Sequence, residues 1–316
     1  MWASLMRLFV ASAGGHVQQL FELQGRLNSG CTTLWVSYGV EQTASLLAGQ
    51  RFIPAHHPTT RHVGNAARNY RLARRVFGDH DIEQVISTGA AIAVPFMIRA
   101  RQIGIPCHYI ESATRVTGPS LSGRILQQLR GIHLYRQMGD WGEPRWRQGP
   151  CVFDGFTVGP AMARPLGRVV VSLGTHGFGF PALVKRLATY FPGNDTEILW
   201  QLGATPDPGD LPGQVVDLLP SDELEHAIAD ADVVIGHAGV GLTLTALRAG
   251  TIPVLVPRRR ARREHTDDHQ AQLARELSAR GLAIAAEVSE LTTEHLERAT
   301  HLSVTYEEPG PFGLVD

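Results

Sequence analysis

Three stretches of this chain combine glycine with histidine, carboxylate or amide side chains in spacings suited to anion binding and proton transfer. The first is Ser12-Ala13-Gly14-Gly15-His16, which follows an apolar run and precedes an amphipathic one. Gly14 and Gly15 let the backbone turn sharply and approach a ligand, and a helix opening after them presents unpaired N–H groups to an anion. His16 stands on that turn, where an imidazole works as a general base near neutral pH. A histidine that merely packs on the turn is the plainer alternative. The stretch lacks the Lys-Ser/Thr of a P-loop and is not a complete G-x-G-x-x-G, which disfavours ATP and NAD.

The second stretch covers residues 231–250. A β-branched run ends in Gly236-His237-Ala238-Gly239-Val240-Gly241, and a helical pattern follows. The glycines and the helix N-terminus make a nest of N–H donors suited to a diphosphate, with His237, Ala238, Gly239 and Gly241 as candidate contacts. A similar turn, Ser172-Leu173-Gly174-Thr175-His176-Gly177, offers the backbone at Gly174 and the hydroxyl of Thr175 to a phosphate oxygen, or is a simple structural turn.

The third stretch runs over residues 252–270. An apolar strand leads into a basic run at 258–263 and then Glu264-His265-Thr266-Asp267-Asp268-His269-Gln270 at a helix start. The carboxylate, imidazole and amide of Asp268, His269 and Gln270 suit hydrogen bonds to sugar hydroxyls. His265 and His269 have an HxxxH spacing, but HExxH is absent and no metal site is expected. The basic run reads as a solvated loop, or as a contact for an acceptor phosphate or an anionic membrane surface. Glu111, at the end of an apolar strand, is a candidate to orient His16 or touch an acceptor. A structural glutamate is the equal alternative.

Positioning these groups takes strands that end at the glycine turns. β-branched runs predict strands over 8–11, 32–36, 84–88 and 106–111 in the first half, and over 169–173, 197–201, 215–218, 233–236 and 253–256 in the second. Helical periodicity falls between them at 17–27, 41–47, 66–77 and 91–103, then at 181–191, 221–229, 242–249, 269–280 and 293–300. Such alternation implies βα units and parallel sheets. Residues 139–166, dense in glycine, proline and tryptophan, read as the boundary between a first domain over 1–150 and a second over 151–316. The stretch 306–316 reads as a tail.

Length and composition agree. A chain of 316 residues suits two domains, and 43% apolar with 19% charged residues suits packed cores. A net charge of −1 argues against a general nucleic-acid binder. The three widely spaced cysteines carry no CxxC pair and read as incidental thiols in a reducing compartment. Residues 1–13 read as a first buried strand rather than an export signal, so the expectation is a cytoplasmic protein, at most attached to the inner face of a membrane.

At these residues the chain resembles a known family. GHAGVG, then ALRAG-x-x-PVLVP, then DDHQ, is similar to the donor half of MurG-type UDP-N-acetylglucosamine transferases, and closer to the catalytic subunit of the two-subunit dolichol-pathway enzyme. SAGGH with VISTGAAIAVPFMIRARQIGIPCHYIESATRV resembles that enzyme's partner subunit, and similar pairs occur in bacterial exopolysaccharide synthesis. The likeness covers roughly residues 7–137 and 168–290, as if both subunits were fused. It implies an α/β GT-B fold, two Rossmann-like parallel-sheet domains facing across a cleft. It also implies a UDP-sugar co-substrate, no cofactor and an unidentified acceptor, lipid-linked or glycan, with peripheral membrane contact. His16 falls on the proposed base, Gly239 and Gly241 on the diphosphate turn, and Asp268, His269 and Gln270 on the sugar-holding cluster. Thr245 stands where the family often has a glutamate that grips the ribose. A nucleotide-sugar epimerase of the same fold and a non-catalytic partner of another transferase are the rival readings.

Overall fold

The computed structural model describes residues 6–27, 30–57, 63–162, 165–174, 177–191 and 196–315. The chain divides into two compact units, residues 1–154 with 309–316, and residues 155–308.

The first unit carries β1 (Met6–Ala11), α1 (Gly15–Leu27), β2 (Thr32–Tyr38), α2 (Glu41–Leu46), β3 (Arg51–Ala55), α3 (Val63–Asp79), β4 (Ile82–Gly89), α4 (Ala93–Gln102), β5 (Cys107–Ile110), α5 (Leu121–Gln127), β6 (Ile132–Arg136) and β7 (Trp146–Gln148). Its strands form one parallel sheet in the order β3-β2-β1-β4-β5-β6-β7. Both faces of the central strands are covered, so period-2 alternation sorts their side chains between two apolar layers. Leu8, Val10, Leu34 and Val36 enter one core cluster. Phe9 meets Trp35 edge-on at 4.9 Å, and Phe21 of α1 lies 6.2 Å from Trp35. Val17, Leu20, Leu23 and Leu27 bury one stripe of α1 at helical spacing.

The second unit repeats the plan. It holds β8 (Phe156–Pro160), β9 (Arg168–Ser172), α6 (Pro181–Ala188), β10 (Glu197–Gln201), β11 (Gln214–Val216), α7 (Ser221–Ala229), β12 (Val233–Gly236), α8 (Val240–Arg248), β13 (Val254–Leu255), α9 (His269–Ala279), β14 (Ile284–Ala285), α10 (Thr293–Thr300) and β15 (Leu302–Tyr306). Six strands pair in parallel as β11-β10-β9-β12-β13-β14, and β15 pairs antiparallel with β8. Val170 and Val234 pack against Leu242 and Ala246 of α8. In each unit the strand order reverses between the first strand of the parallel sheet and the fourth, β1 beside β4 and β9 beside β12. That reversal is where doubly wound sheets open for ligands.

Several elements are shorter than sequence periodicity detects. β3 contains Pro54 and mixed exposure, as an edge strand does, and β6, β7, β14 and β15 are two to five residues long. β7 and β8 lie inside the stretch read as a boundary. Residues 309–315 are no loose tail: the Phe312 amide donates to the Arg26 carbonyl at 2.9 Å and the Val315 amide to the Tyr135 hydroxyl at 3.2 Å. The three cysteines are free, and burial pushes the Cys107 thiol up to about 12, which leaves it unreactive. Among the described residues, no helix is long and apolar enough to cross a membrane.

β5 also carries a buried titratable group. His108 is fully buried, with Gln84 Nε2 at 2.7 Å from its Nε2 and the Tyr135 hydroxyl at 3.3 Å from its Nδ1. Burial, and then the charges of His133 and Arg7, push its pKa from 6.5 down to about 3. The unfolded chain takes up this proton as pH falls below the ordinary value, whereas the folded chain resists until about 3. The stability it confers is therefore full above pH 6.5 and lost as pH falls through that window. Denaturant unfolding of the wild type between pH 6.5 and 4 should lose up to about 1.4 kcal/mol per pH unit from this site, and His108→Asn should flatten that slope.

Candidate functional site

In the first unit, β1 ends in Ser12-Ala13-Gly14, with Gly14 at φ +77°, and α1 begins at Gly15. The Val17 amide closes the turn on the Ser12 carbonyl at 3.0 Å. His16, half-buried on the first helical turn, is held by the neighbouring strand end. Its Nδ1 lies 2.9 Å from the Thr88 carbonyl, and the Thr88 hydroxyl donates to the His16 carbonyl at 2.6 Å. A carbonyl only accepts, so Nδ1 carries the proton and Nε2 is the basic nitrogen. Gly89 follows at φ +117°, where a β-carbon would stand 3.2 Å from His16 Nδ1 and 3.0 Å from the Tyr109 hydroxyl. Sequence reasoning singled out His16 but not Thr88 and Gly89. The threonine-glycine pair that ends β4, quoted above only as part of a family pattern, is the signal that marks them.

Glu111 is fully buried just beyond β5. Oε2 accepts from the Ser120 amide at 2.9 Å and the Ser120 hydroxyl at 2.8 Å, and Oε1 accepts from the Ser112 amide at 3.0 Å and the Tyr109 hydroxyl at 3.3 Å. Burial raises its pKa, against the pull of these donors. The carboxylate thus braces the segment from Ser112 to Ser120, and none of its hydrogen bonds runs to His16. Ser120 in turn caps α5 by accepting from the Gly123 amide at 3.1 Å. Behind this segment, buried Gln19 of α1 accepts from the Ala113 amide at 2.9 Å and from Gln137 Nε2 at 2.9 Å, and donates to the Ser112 hydroxyl at 3.1 Å.

In the second unit, Gly174 has φ +76° beyond β9, and Thr175, expected to meet a phosphate, lies outside the described residues. The imidazole of His237 is clasped between two glycines. A β-carbon on Gly174 would come within 2.4 Å of the ring, and one on Gly239 within 2.3 Å. Ala238 is buried, and Gly239 forms the N-cap of α8 in extended geometry, with no side chain capping the helix. Gly241 and Thr245 share the half-buried face of α8, four residues apart, while the Thr243 hydroxyl turns back to the Gly239 carbonyl at 2.8 Å. The turn therefore leaves the first amides of α8 without a side-chain acceptor, as an anion site requires.

The polar cluster of the third stretch organises the loop before it. Gln270 Oε1 accepts from the Arg258 amide at 3.0 Å, and Asp268 Oδ1 accepts from the Arg260 amide at 3.1 Å. His269 Nδ1 pairs with Asp267, and His265 Nδ1 is 3.5 Å from the same Asp267 oxygen. His265, Asp267 and His269 bring their ligand-type atoms within 4.8 Å of one another, a grouping that the HxxxH spacing alone did not reveal. Asp268, His269 and Gln270 are thus adjacent, with Gln270 buried and the other two half-buried.

Residues 168–308 match the glycosyltransferase family 28 C-terminal domain. The UDP-N-acetylglucosamine–N-acetylmuramyl-(pentapeptide) pyrophosphoryl-undecaprenol N-acetylglucosamine transferase of Synechococcus sp. strain CC9902 is 26% identical over 296 residues, 84% of this chain and 80% of its own. The ALG13 subunit of the UDP-N-acetylglucosamine transferase of Cryptococcus neoformans is 40% identical over 81 residues, 25% of this chain and 39% of its own. The crystal structure of Acinetobacter baumannii MurG superposes with a TM-score of 0.60 at 20% identity, covering 94% of this chain and 89% of that one. Two Rossmann-like units with glycine turns at their switch points, the second of them a family 28 domain, define a GT-B glycosyltransferase. Over most of its length the chain is similar to the MurG-type enzymes of that class.

Gly89→Ala would drive a β-carbon toward the imidazole of His16 in backbone geometry that disfavours any side chain. The expected outcome is a stability loss of about 1–3 kcal/mol in denaturant unfolding, together with lost transfer activity from a displaced His16.

Proposed function

We propose that this chain transfers N-acetylglucosamine from UDP-N-acetylglucosamine to a hydroxyl of a lipid-linked acceptor, with inversion at the anomeric carbon and without a metal. The observation that carries the reading is the imidazole of His16, whose tautomer is set by the Thr88 carbonyl so that Nε2 is the proton acceptor. The names of the relatives in Synechococcus and Cryptococcus supply the donor, and that of the former the undecaprenol-linked acceptor. Such an acceptor implies work at a membrane surface, on the cytoplasmic side where the sequence reading sets the chain.

In the proposed step the acceptor oxygen bonds to the anomeric carbon as the bond from that carbon to the UDP oxygen breaks. The acceptor proton passes to His16 Nε2, and the electron pair leaves with UDP. The amides of Gly239 to Gly241 and the positive end of α8 hold the diphosphate and favour the charge that grows on it. These fixed dipoles act where charge develops, so the chemistry asks for no metal ion. Asp268, His269 and Gln270 take the sugar hydroxyls, and the backbone at Gly174 flanks the phosphates. Thr245 offers the ribose one hydroxyl where a carboxylate would accept two hydrogen bonds, so the ribose grip rests more on the backbone. Glu111 acts through the segment it braces rather than on the reacting atoms. A general base contributes about 10²–10⁴ in rate. His16→Ala should therefore lower kcat by that order while UDP affinity, read by calorimetric titration without added metal, stays unchanged. A matching loss of UDP binding would overturn the role of His16 as base, and retained transfer would remove the need for a base altogether.

A further inference from the structure

The arginines at 258–263 differ sharply in their surroundings. Arg259 pairs with Asp268 at 3.5 Å and Glu287 at 3.6 Å, and Arg262 with Glu264 at 2.8 Å and Glu287 at 3.9 Å. Arg260 and Arg263 are exposed. Arg258 points inward: its relative exposure is 0%. Nη2 donates to the Leu173 carbonyl at 2.7 Å, and the guanidinium carbon lies 5.5 Å from the Phe180 ring. Nε and Nη1 are buried with no hydrogen-bond partner among the described residues, and no ion pair reaches Arg258 among them. Burial lowers its pKa to about 10, which leaves it charged at neutral pH. The acid nearest in effect, Glu264, is already taken by the Arg259 amide and Arg262. Buried cations are normally paired, so this one lacks its counter-charge among the described residues.

The topology says what the guanidinium faces. β12 lies between β9 and β13 in the sheet. Arg258 follows β13 and Leu173 follows β9, so a side chain joining them crosses the carboxyl end of β12. That end is Gly236-His237-Ala238-Gly239, the turn that opens the nine-residue helix α8 without a side-chain cap. The buried guanidinium and the helix N-terminus thus converge on one place from two elements.

We propose that Arg258 is the buried counter-charge for the diphosphate of the nucleotide sugar held at the Gly239–Gly241 turn. The inference rests on the reading of that turn given above and adds to it a charged residue that acts with the amides. In a water-excluded site its field is weakly screened and adds to that of the helix end. It strengthens as UDP departs and gains charge.

The test is calorimetric titration of wild type, R258M and R258K with uridine, UMP and UDP, repeated with guanosine, GDP, thymidine and dTDP. R258M should weaken UDP by about tenfold or more and leave uridine unchanged, with partial recovery in R258K. Without ligand, R258M should melt no lower than wild type, because an unpaired buried cation has been removed, but UDP should raise its Tm less. An equal loss of uridine and UDP, or no loss of either, overturns the proposal. Should R258M fail to fold, the arginine Nε–H resonance that R258K removes from the wild-type spectrum decides. It should move on adding UDP and stay still with uridine, and no movement overturns the proposal. If wild type prefers GDP or dTDP, the uridine-nucleotide reading falls, and Arg258 stands or falls on that nucleotide's diphosphate-to-nucleoside ratio. If no diphosphate binds better than its nucleoside, both are overturned.

Discussion

At the switch point of the second unit, two neighbouring strands end so close together that the backbone has room for little beyond hydrogen on its α-carbons. A β-carbon on Gly236 would meet the Ser172 carbonyl at 2.3 Å, and those on Gly174 and Gly239 would strike the ring of His237. The first unit obeys the same limit at Gly89, against His16 and Tyr109. Everything chemical in the molecule depends on that crowding. It brings the Thr88 carbonyl next to the His16 imidazole, and it lets α8 start directly beyond the sheet with no side chain capping its first amides. A single added methyl group is enough to push these groups apart.

Much of this was legible in the sequence because it is local. β-branched runs that stop at Gly-Gly or Gly-x-x-Gly mark a strand, a turn and a helix in consecutive residues, and β1–α1 and β12–α8 both follow that rule. Edge elements such as β3 and β7 were not legible. Three to five residues with a proline or mixed exposure carry too few periods to stand out, and they persist because a neighbouring strand supplies their hydrogen bonds. Long-range partners were hidden for a different reason. Nothing near Arg258 in sequence separates it from Arg259 or Arg262, and its burial comes from a carbonyl 85 residues away. The same holds for Glu111: its type and strand-end place suggested chemistry, whereas its partners Ser120 and Tyr109 give it the work of a brace.

The two units solve the same positioning problem with different physics. In the first, the site is wired by neutral hydrogen bonds: Gln19, Gln137, Ser112 and the Thr88–His16 pair satisfy one another in the interior. Such networks fix geometry and tautomer while adding little net charge. In the second, backbone dipoles and the buried guanidinium of Arg258 supply the positive charge, while Arg259 and Arg262 are spent on Glu264, Asp268 and Glu287. A proton acceptor needs the first kind of environment and a departing anion the second.

The last residues of the chain bear on how it can be divided. Arg26 Nη1 donates to the Cys151 carbonyl at 3.2 Å and pairs with Asp154 at 2.7 Å, while its Nε donates to the Gly310 carbonyl at 3.3 Å. Phe312 rests edge-on against Tyr135 at 5.9 Å. The second unit is accordingly an insertion between two pieces of the first, not a module appended to it. A gene cut at the midpoint would yield a front fragment missing its closing segment and a rear fragment carrying a segment with no surface of its own to cover. Any split of this polypeptide between the two units would leave residues 309–316 on the fragment that carries the second unit, away from the strand and helix they pack on.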